Sequence, residues 1–445
     1  MLSRRSLFFT TPAFVMGILL LNLRPLVDKL FATAYFTPAE VVLMGTVNLI
    51  TFIPECIVLA TSYAIQTLTA RFIDDKDNIQ YFLSGLMVTS VLVVPILVLL
   101  GLFPVSFIKF VSRDAPTHAS ALLFFRLRLV GCLFQCLIFC LRGYYSAYRN
   151  NRIFFTVIAL SLATHCLCNR LFLQNTWFIG NLGIYGLGLS YCISMAFGLA
   201  IYCDQFLHDM TLSSVVLPGR RRYTQLLRFS MPLTAHSVVD HIGTTFIFSC
   251  TGHYFGMLPL ASLHLLSSIQ GISPGAGFGL TALTEVSRAY EDNPRLARRR
   301  GETILYVGSG LIGLCGCLLS MNTQWLLELT ASGNQALQAA AKLPVQMMLI
   351  TLFLHVGCQV VLKILQAIDQ TVASVSINLS FIYGFRIPLL FSLRYFSEAS
   401  LLTVMVILSA EKCLKLTAMF LYWHWTHRRI LRERPVTETL SPASL

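Results

Sequence analysis

Two carboxylates stand where an apolar chain should have none. Asp28 lies deep in the hydrophobic stretch 7–33, and Asp240 lies in the stretch 225–251 of the second half. A charged side chain at the bilayer centre costs ~3 kcal/mol or more unless it is paired, hydrated or neutralised, so an acid in each half points to work with protons or cations. Arg24 stands one helical turn before Asp28. Ion coupling and an intrahelical pair that merely neutralises the acid are therefore both open. His236 and His241 flank Asp240, an arrangement that can relay a proton or simply satisfy the carboxylate.

Other polar groups in apolar surroundings extend this set. Glu55 follows Pro54, where a helix kink frees carbonyls and gathers water. Arg126 and Arg128 in the fourth hydrophobic stretch, Lys363 in the tenth and Arg386 before Pro388 in the eleventh are basic. Basic groups inside a pore favour anionic or zwitterionic ligands, while the plain alternative for each is an acid partner or a lipid headgroup. Arg24, Glu55, Arg126 and Arg386 are the candidate cavity or substrate contacts, beside Asp28 and Asp240 as candidate ion-coupling residues. Phe and Tyr side chains can stack a flat cation, but in a membrane protein they more often face lipid.

Several chemistries find no support. Thirteen cysteines fall almost entirely within apolar stretches, with Cys132, Cys136 and Cys140 on one helical face; small packing residues are the plain reading and no metal set has ligand spacing. The glycines from Gly271 to Gly279 lack the lysine–hydroxyl ending of a phosphate loop, so close helix packing explains them better. There is no catalytic constellation and no nucleotide motif. The chain is therefore expected to be neither an enzyme nor dependent on a cofactor, with sodium or a proton as the driving ion.

Hydrophobic residues make up 56% of the 445 and charged ones 12%, which no ordinary soluble domain matches. Windows of about 20 apolar residues recur at 7–33, 40–70, 80–108, 117–147, 153–174, 180–206, 225–251, 258–287, 301–326, 337–366, 371–394 and 398–425. The expected class is an all-α polytopic membrane protein with twelve transmembrane helices. Arg4 and Arg5 precede an apolar run without a cleavage site, which reads as a retained first span rather than an export signal. The net charge of +13 is not gathered on a soluble domain, so it does not indicate nucleic acid. It alternates along the chain: Arg71, Arg149, Arg220 to Arg222, Arg288, Arg298 to Arg300 and Arg428 all fall on one side, which places both termini in the cytoplasm of a cell-membrane protein.

A polar interval ending in Pro218-Gly219-Arg220-Arg221-Arg222 separates two sets of six spans. The expected parts are a six-helix bundle at 1–206, a linker at 207–222, a second bundle at 223–430 and a tail at 431–445. Pro12 precedes Asp28, and Pro232 precedes Asp240, as a duplicated unit would have it. Such a repeat places a small-molecule site between the halves near the midplane. The lipid bilayer is the other partner, and the chain is expected to act as a monomer.

Leu141-Arg142-Gly143-Tyr144-Tyr145-Ser146-Ala147 with Arg152 resembles the leucine-arginine-glycine stretch after helix four of the multidrug and toxin extrusion (MATE) transporters, of the wider group that includes lipid-linked oligosaccharide flippases. Asn169 and Leu182-Gly183-Ile184-Tyr185-Gly186 resemble that family's asparagine and its entry to helix six. Leu365-Gln366-Ala367-Ile368-Asp369-Gln370-Thr371 looks like a degenerate second copy of the helix-four motif. The resemblance runs over about residues 5–430 and implies a V-shaped pair of bundles that alternate access, with Asp28 as N-lobe and Asp240 as C-lobe coupling acid. One departure is that Val356 falls where several members have a further aspartate in helix ten.

The leading expectation is a MATE-like antiporter exporting a small amphiphile or organic cation against sodium or proton entry. The alternative is a flippase or exporter for an anionic or lipid-linked substrate, which Arg24, Arg126, Arg128 and Arg386 would suit, although such flippases often have more than twelve helices. A non-transporting scaffold that kept the fold is a third possibility.

Overall fold

The computed structural model describes residues 38–72, 79–111, 117–148, 150–174, 181–209, 218–271, 275–290, 293–330, 335–395 and 400–433, with residue 273 and scattered positions between 16 and 36. Arg4, Arg5, Pro12, Arg149, residues 210–217 of the interval 207–222 and the tail beyond Glu433 lie outside them.

The described residues between 16 and 31 are helical and form α1. The first half continues with α2 (Pro38–Arg71), α3 (Ile79–Leu102) with the eight-residue α4 (Pro104–Val111), α5 (Ala119–Ala147), α6 (Asn151–Leu173) and α7 (Gly183–Asp209). The second half holds α8 (Arg220–Phe255), α9 (Met257–Gly271) and α10 (Gly275–Tyr290), and α11 (Pro294–Met321) with the eight-residue α12 (Thr323–Thr330). It closes with α13 (Gln335–Ile350) and α14 (Leu352–Ala367), α15 (Thr371–Phe381), which passes through a π turn at Ile382–Arg386 into α16 (Ile387–Ser392), and α17 (Leu401–Glu433). Joining α3 to α4, α9 to α10, α11 to α12, α13 to α14 and α15 to α16 gives twelve spans. The chain is an all-α polytopic membrane protein of two six-helix repeats.

Seven of the described helices are long and apolar enough to cross a bilayer alone, and α13 with α14 qualifies as a pair bent by 46°. Helices α8 and α17 are long enough but too polar to qualify by composition, because they carry Asp240 and the Glu411, Lys412, Lys415 group. The repeat shows in detail: the third and ninth spans each end in a further eight-residue helix.

Lipid tails are as apolar as leucine, so helix association here rests on close packing and polar contacts rather than on escape from water. Gly143 shows the requirement. A Cβ there would lie 2.5 Å from the Ser62 carbonyl oxygen, so only glycine lets α5 pack this closely on α2. Large side chains such as Val91, Leu314 and Leu421 stay exposed, as a lipid-facing surface requires.

The breaks differ between halves. Helix α2 runs unbroken through Pro54, whereas its counterpart is split into α9 and α10 between Gly271 and Gly275. The bend between α13 and α14 falls at Thr351, whose Oγ1 donates to the Met347 carbonyl at 2.9 Å. That back-bond competes with the helix ladder and bends the backbone.

The halves meet through α2 with α8 and α10, and through α3 with α8. At the basic end the seam is latched twice. Arg71, at the end of α2, reaches the Ala367 carbonyl at 2.5 Å and both Asp369 oxygens at 2.8 Å. Arg288, at the end of α10, donates from Nε to the Ala147 carbonyl at 2.9 Å and also from Nη2. The second and eighth spans thus each send an arginine to the end of the other half's fourth or tenth span, as a two-fold repeat demands. Between them, Gln66 Nε2 donates to the Leu280 carbonyl at 3.2 Å, and Tyr81 Oη donates to Gln225 Oε1 at 3.2 Å.

Candidate functional site

Helices α1, α2, α5, α6 and α7 bring a polar cluster together in the first half. Asp28 is 2% exposed, and its Oδ1 lies 2.6 Å from His165 Nε2, in hydrogen-bond contact. Arg128 Nη1 stands 3.7 Å from Asp28 Oδ2. Arg24 keeps its one-turn spacing from Asp28 but makes no ion pair with it within 4 Å; its guanidinium donates to Ser161 Oγ at 2.9 Å and meets Met195 Sδ at 3.3 Å. Ser161 in turn donates to the Ser194 carbonyl, so α6 and α7 fix the arginine's direction. The acid is therefore neutralised from α5 and α6, not from its own helix.

A cavity of about 400 Å³ opens beside this cluster, lined by Arg24, Glu55, Arg128, Gln135, Arg142 and Tyr191 among others. Arg128 lies over the Tyr191 ring at 3.6 Å and Arg24 at 5.7 Å, so one ring carries two guanidiniums. Arg142 is 1% exposed and donates to Ser62 Oγ at 3.0 Å. The Nε atoms of Arg24, Arg128 and Arg142 are all buried without a hydrogen-bond partner. Three guanidiniums and one carboxylate, Glu55, face this space.

Of the positions expected from sequence, Arg24 and Glu55 line this cavity and Arg386 lines another. Arg126 is exposed and is not among the residues lining either cavity. Residues two apart on a helix point about 200° apart, so only one of Arg126 and Arg128 can face inward, and it is Arg128.

Asp240 lies apart from Asp28 and lines two smaller cavities with His236 and Thr244, one within the second half and one at the seam between the halves. His236 Nε2 meets Asn378 Nδ2 at 2.5 Å, and His241 stacks near Phe52 at 4.4 Å. Val356, where a helix-ten acid would fall, is wholly buried and presses on the first turn of α10, where a Cβ on Gly275 would be 2.8 Å from it. Packing has taken that position. Arg386, turned inward by the π turn before Pro388, holds Glu411 through two bonds of 2.5 and 2.8 Å. Cys132, Cys136 and Cys140 are buried in the core around α5, and no group of potential metal ligands forms among the described residues.

The cavities connect by shared walls. The first-half cavity shares Phe52, Leu59 and Tyr63 with one of about 280 Å³ that reaches Asp240 and Lys363. Lys363 Nζ lies 3.5 Å over the Tyr63 ring, across the seam from Arg142 on the same ring at 5.6 Å. A separate groove of about 610 Å³ lies between the halves, lined by Leu49, Ile53, Leu99, Phe107 and Ile242, with His241 as its one wall residue in common with the 280 Å³ cavity. It is almost wholly apolar.

Sequence reasoning passed over His165, Tyr191 and the Glu411, Lys412, Lys415 group. The signals existed: His165 stands one turn before Asn169, and three charges fall within five residues of an apolar stretch.

No protein-family model and no curated protein sequence matches the chain. Solved structures do match. A MOP superfamily transporter from Pyrococcus furiosus, whose binding pocket is described as having reversed polarity that suggests a different function, superposes with a TM-score of 0.82 at 14% identity over 95% of each chain. A multidrug resistance MATE family transporter of the MOP superfamily in its outward-facing conformation gives 0.83 at 15% identity, covering 95% of this chain and 96% of its own. A MATE transporter in a bent conformation gives 0.80 at 13% identity over 97% and 96%. At such identities the likeness is one of architecture, and in architecture this chain has the fold of the MATE transporters of the MOP superfamily.

Proposed function

We propose that the protein is an alternating-access transporter of the cell membrane that moves an amphiphile with an anionic headgroup, driven by protons through Asp28. The observation that carries this reading is the cavity wall of Arg24, Arg128 and Arg142, each with a buried Nε lacking a partner. Guanidiniums grip carboxylates and phosphates in pairs of parallel bonds, and three of them repel an organic cation. Glu55 alone speaks for the cationic reading. The apolar groove at the seam, which shares no wall residue with the arginine-lined cavity, offers a surface for a tail while the headgroup sits among the arginines. A reversed pocket polarity is also described for the Pyrococcus furiosus relative in fold.

The proton is favoured over sodium by what surrounds Asp28. Its oxygens face an imidazole nitrogen and a guanidinium. A hard cation needs several oxygen ligands converging on one point. The latched basic end is read as cytoplasmic, from the positive-inside bias, so this state faces outward. Transport then requires Arg71 and Arg288 to release the seam while Asp28, changing its charge, alters how α1 packs on α5 and α6. No hydrolytic chemistry or second subunit is invoked.

The test is uptake by purified protein in liposomes, with headgroup-labelled anionic and cationic amphiphiles of equal tail length under an imposed pH gradient. Transport of the anionic probe, reduced at least tenfold by Arg128→Gln and unaffected by Arg126→Gln, is expected. Transport of the cationic probe alone would overturn the proposal.

A further inference from the structure

The second half contains a cavity of about 140 Å³ that the amphiphile reading does not use. Its walls bring together Asp240 from α8, His355 from α14, Arg386 from the π turn, and Lys412 and Lys415 from α17. Their charges do not balance. Glu411 serves two cations at once: Arg386 through its two bonds, and Lys415, whose Nζ is 3.3 Å from Oε1. Glu411 is wholly buried, and Arg386 and Lys415 are nearly so. Lys412 has neither an ion pair nor a side-chain hydrogen bond among the described residues, and the same holds for His355. Arg386, Lys412 and Lys415 against Glu411 and Asp240 make three cations to two carboxylates, an excess of one positive charge.

An uncompensated charge in a membrane-embedded wall is met either by losing a proton or by a counter-ion. Two features favour the counter-ion. The Lys412 ammonium and the His355 ring line the open space from adjacent helices, where an anion between them would accept from both. The space between them is small: 140 Å³ is room for about four or five waters, and a space of about 300 Å³ adjoins it along His355, Arg386 and Lys412. Asn378, which meets His236, and Gln359 complete a polar lining with further amide donors.

We propose that this cavity is a binding site for one small inorganic anion of single charge, of the chloride class, held by Lys412 with His355 as second donor and Arg386 and Lys415 behind. A single negative charge brings the wall to neutrality. The site differs in ligand and in residues from the arginine-lined cavity of the first half, and it stands whether or not an amphiphile is transported.

The experiment is equilibrium binding of radioactive chloride to the full chain in lipid nanodiscs, with gluconate holding ionic strength constant. Saturable binding of one chloride per chain is expected, at least tenfold weaker in Lys412→Met and retained in Lys412→Arg, with Arg126→Gln as the exposed-residue control. Should Lys412→Met not yield monodisperse protein, His355→Leu gives the same reading, with affinity lowered severalfold. Absence of saturable binding in the wild type overturns the site, and so does wild-type affinity in the variant measured.

Discussion

On the proposed alternating-access reading, removing the two latch arginines should open the basic end of the seam, and the structure sets the scale. Asp369 is 53% exposed on its side chain, so its pair with Arg71 contributes at most about 1 kcal/mol. The larger share comes from the buried arginine on a backbone carbonyl, a charged hydrogen bond with a net value of about 1.5–3 kcal/mol. Arg71→Ala therefore loses about 2–4 kcal/mol and Arg288→Ala, which releases Ala147, about 2–3. Taken as independent, the double variant shifts the balance by about 4–7 kcal/mol, roughly a thousandfold or more in the ratio of states. The assay is pulsed electron–electron distance measurement between spin labels at Arg152→Cys and Arg295→Cys, both exposed, with the exposed Cys203, Cys315, Cys317 and Cys413 replaced by serine. The double variant should populate a longer distance at this end, whereas Asp369→Asn should barely move the distribution. An unchanged distribution in the double variant, or an Asp369→Asn effect as large as that of Arg71→Ala, would refute the reasoning.

Three further outcomes follow from particular contacts. Asp28→Asn keeps the shape but cannot cycle a proton, so uptake driven by a pH gradient in liposomes should vanish while expression persists; unchanged uptake would remove Asp28 from the coupling role. Glu411→Gln leaves Arg386 and Lys415 without their ion-pair partner in a buried wall and should destabilise the protein by about 3–5 kcal/mol, read as a lowered thermal midpoint. Replacing all three residues by apolar ones of similar size should recover much of the loss. Gly143→Ala forces a Cβ against the Ser62 carbonyl and should cost about 1–3 kcal/mol, visible in the same measurement, while Gly310→Ala, which meets open space, should not.

The spans were legible because lipid imposes a rule that local sequence obeys: each crossing needs its own apolar length. The break between α9 and α10 was also foreshadowed by the glycine and proline run there. The bend at Thr351 was not, because a threonine's back-bond leaves no mark in composition. The site was legible by residue type and not by direction. Asp28 and Arg24 have the spacing of an ion pair, yet Ser161 and Met195, more than a hundred residues away, decide where the guanidinium points. Arg126 and Arg128 look alike in sequence, and only helical phase separates the exposed residue from the cavity-lining one. The repeat predicted two matching acids. Packing by Val356 and the basic group on α17 made the second half a different chemical environment.

The latch has a consequence for inheritance. Arg71 and Arg288 close on the carbonyls of Ala147 and Ala367, atoms that every amino acid supplies. Half of each contact is therefore invisible to mutation: the partner positions are free to drift so long as the helix ends there. Variation that retunes the opening of this end must pass through the two arginines, or through whatever sets where α5 and α14 stop.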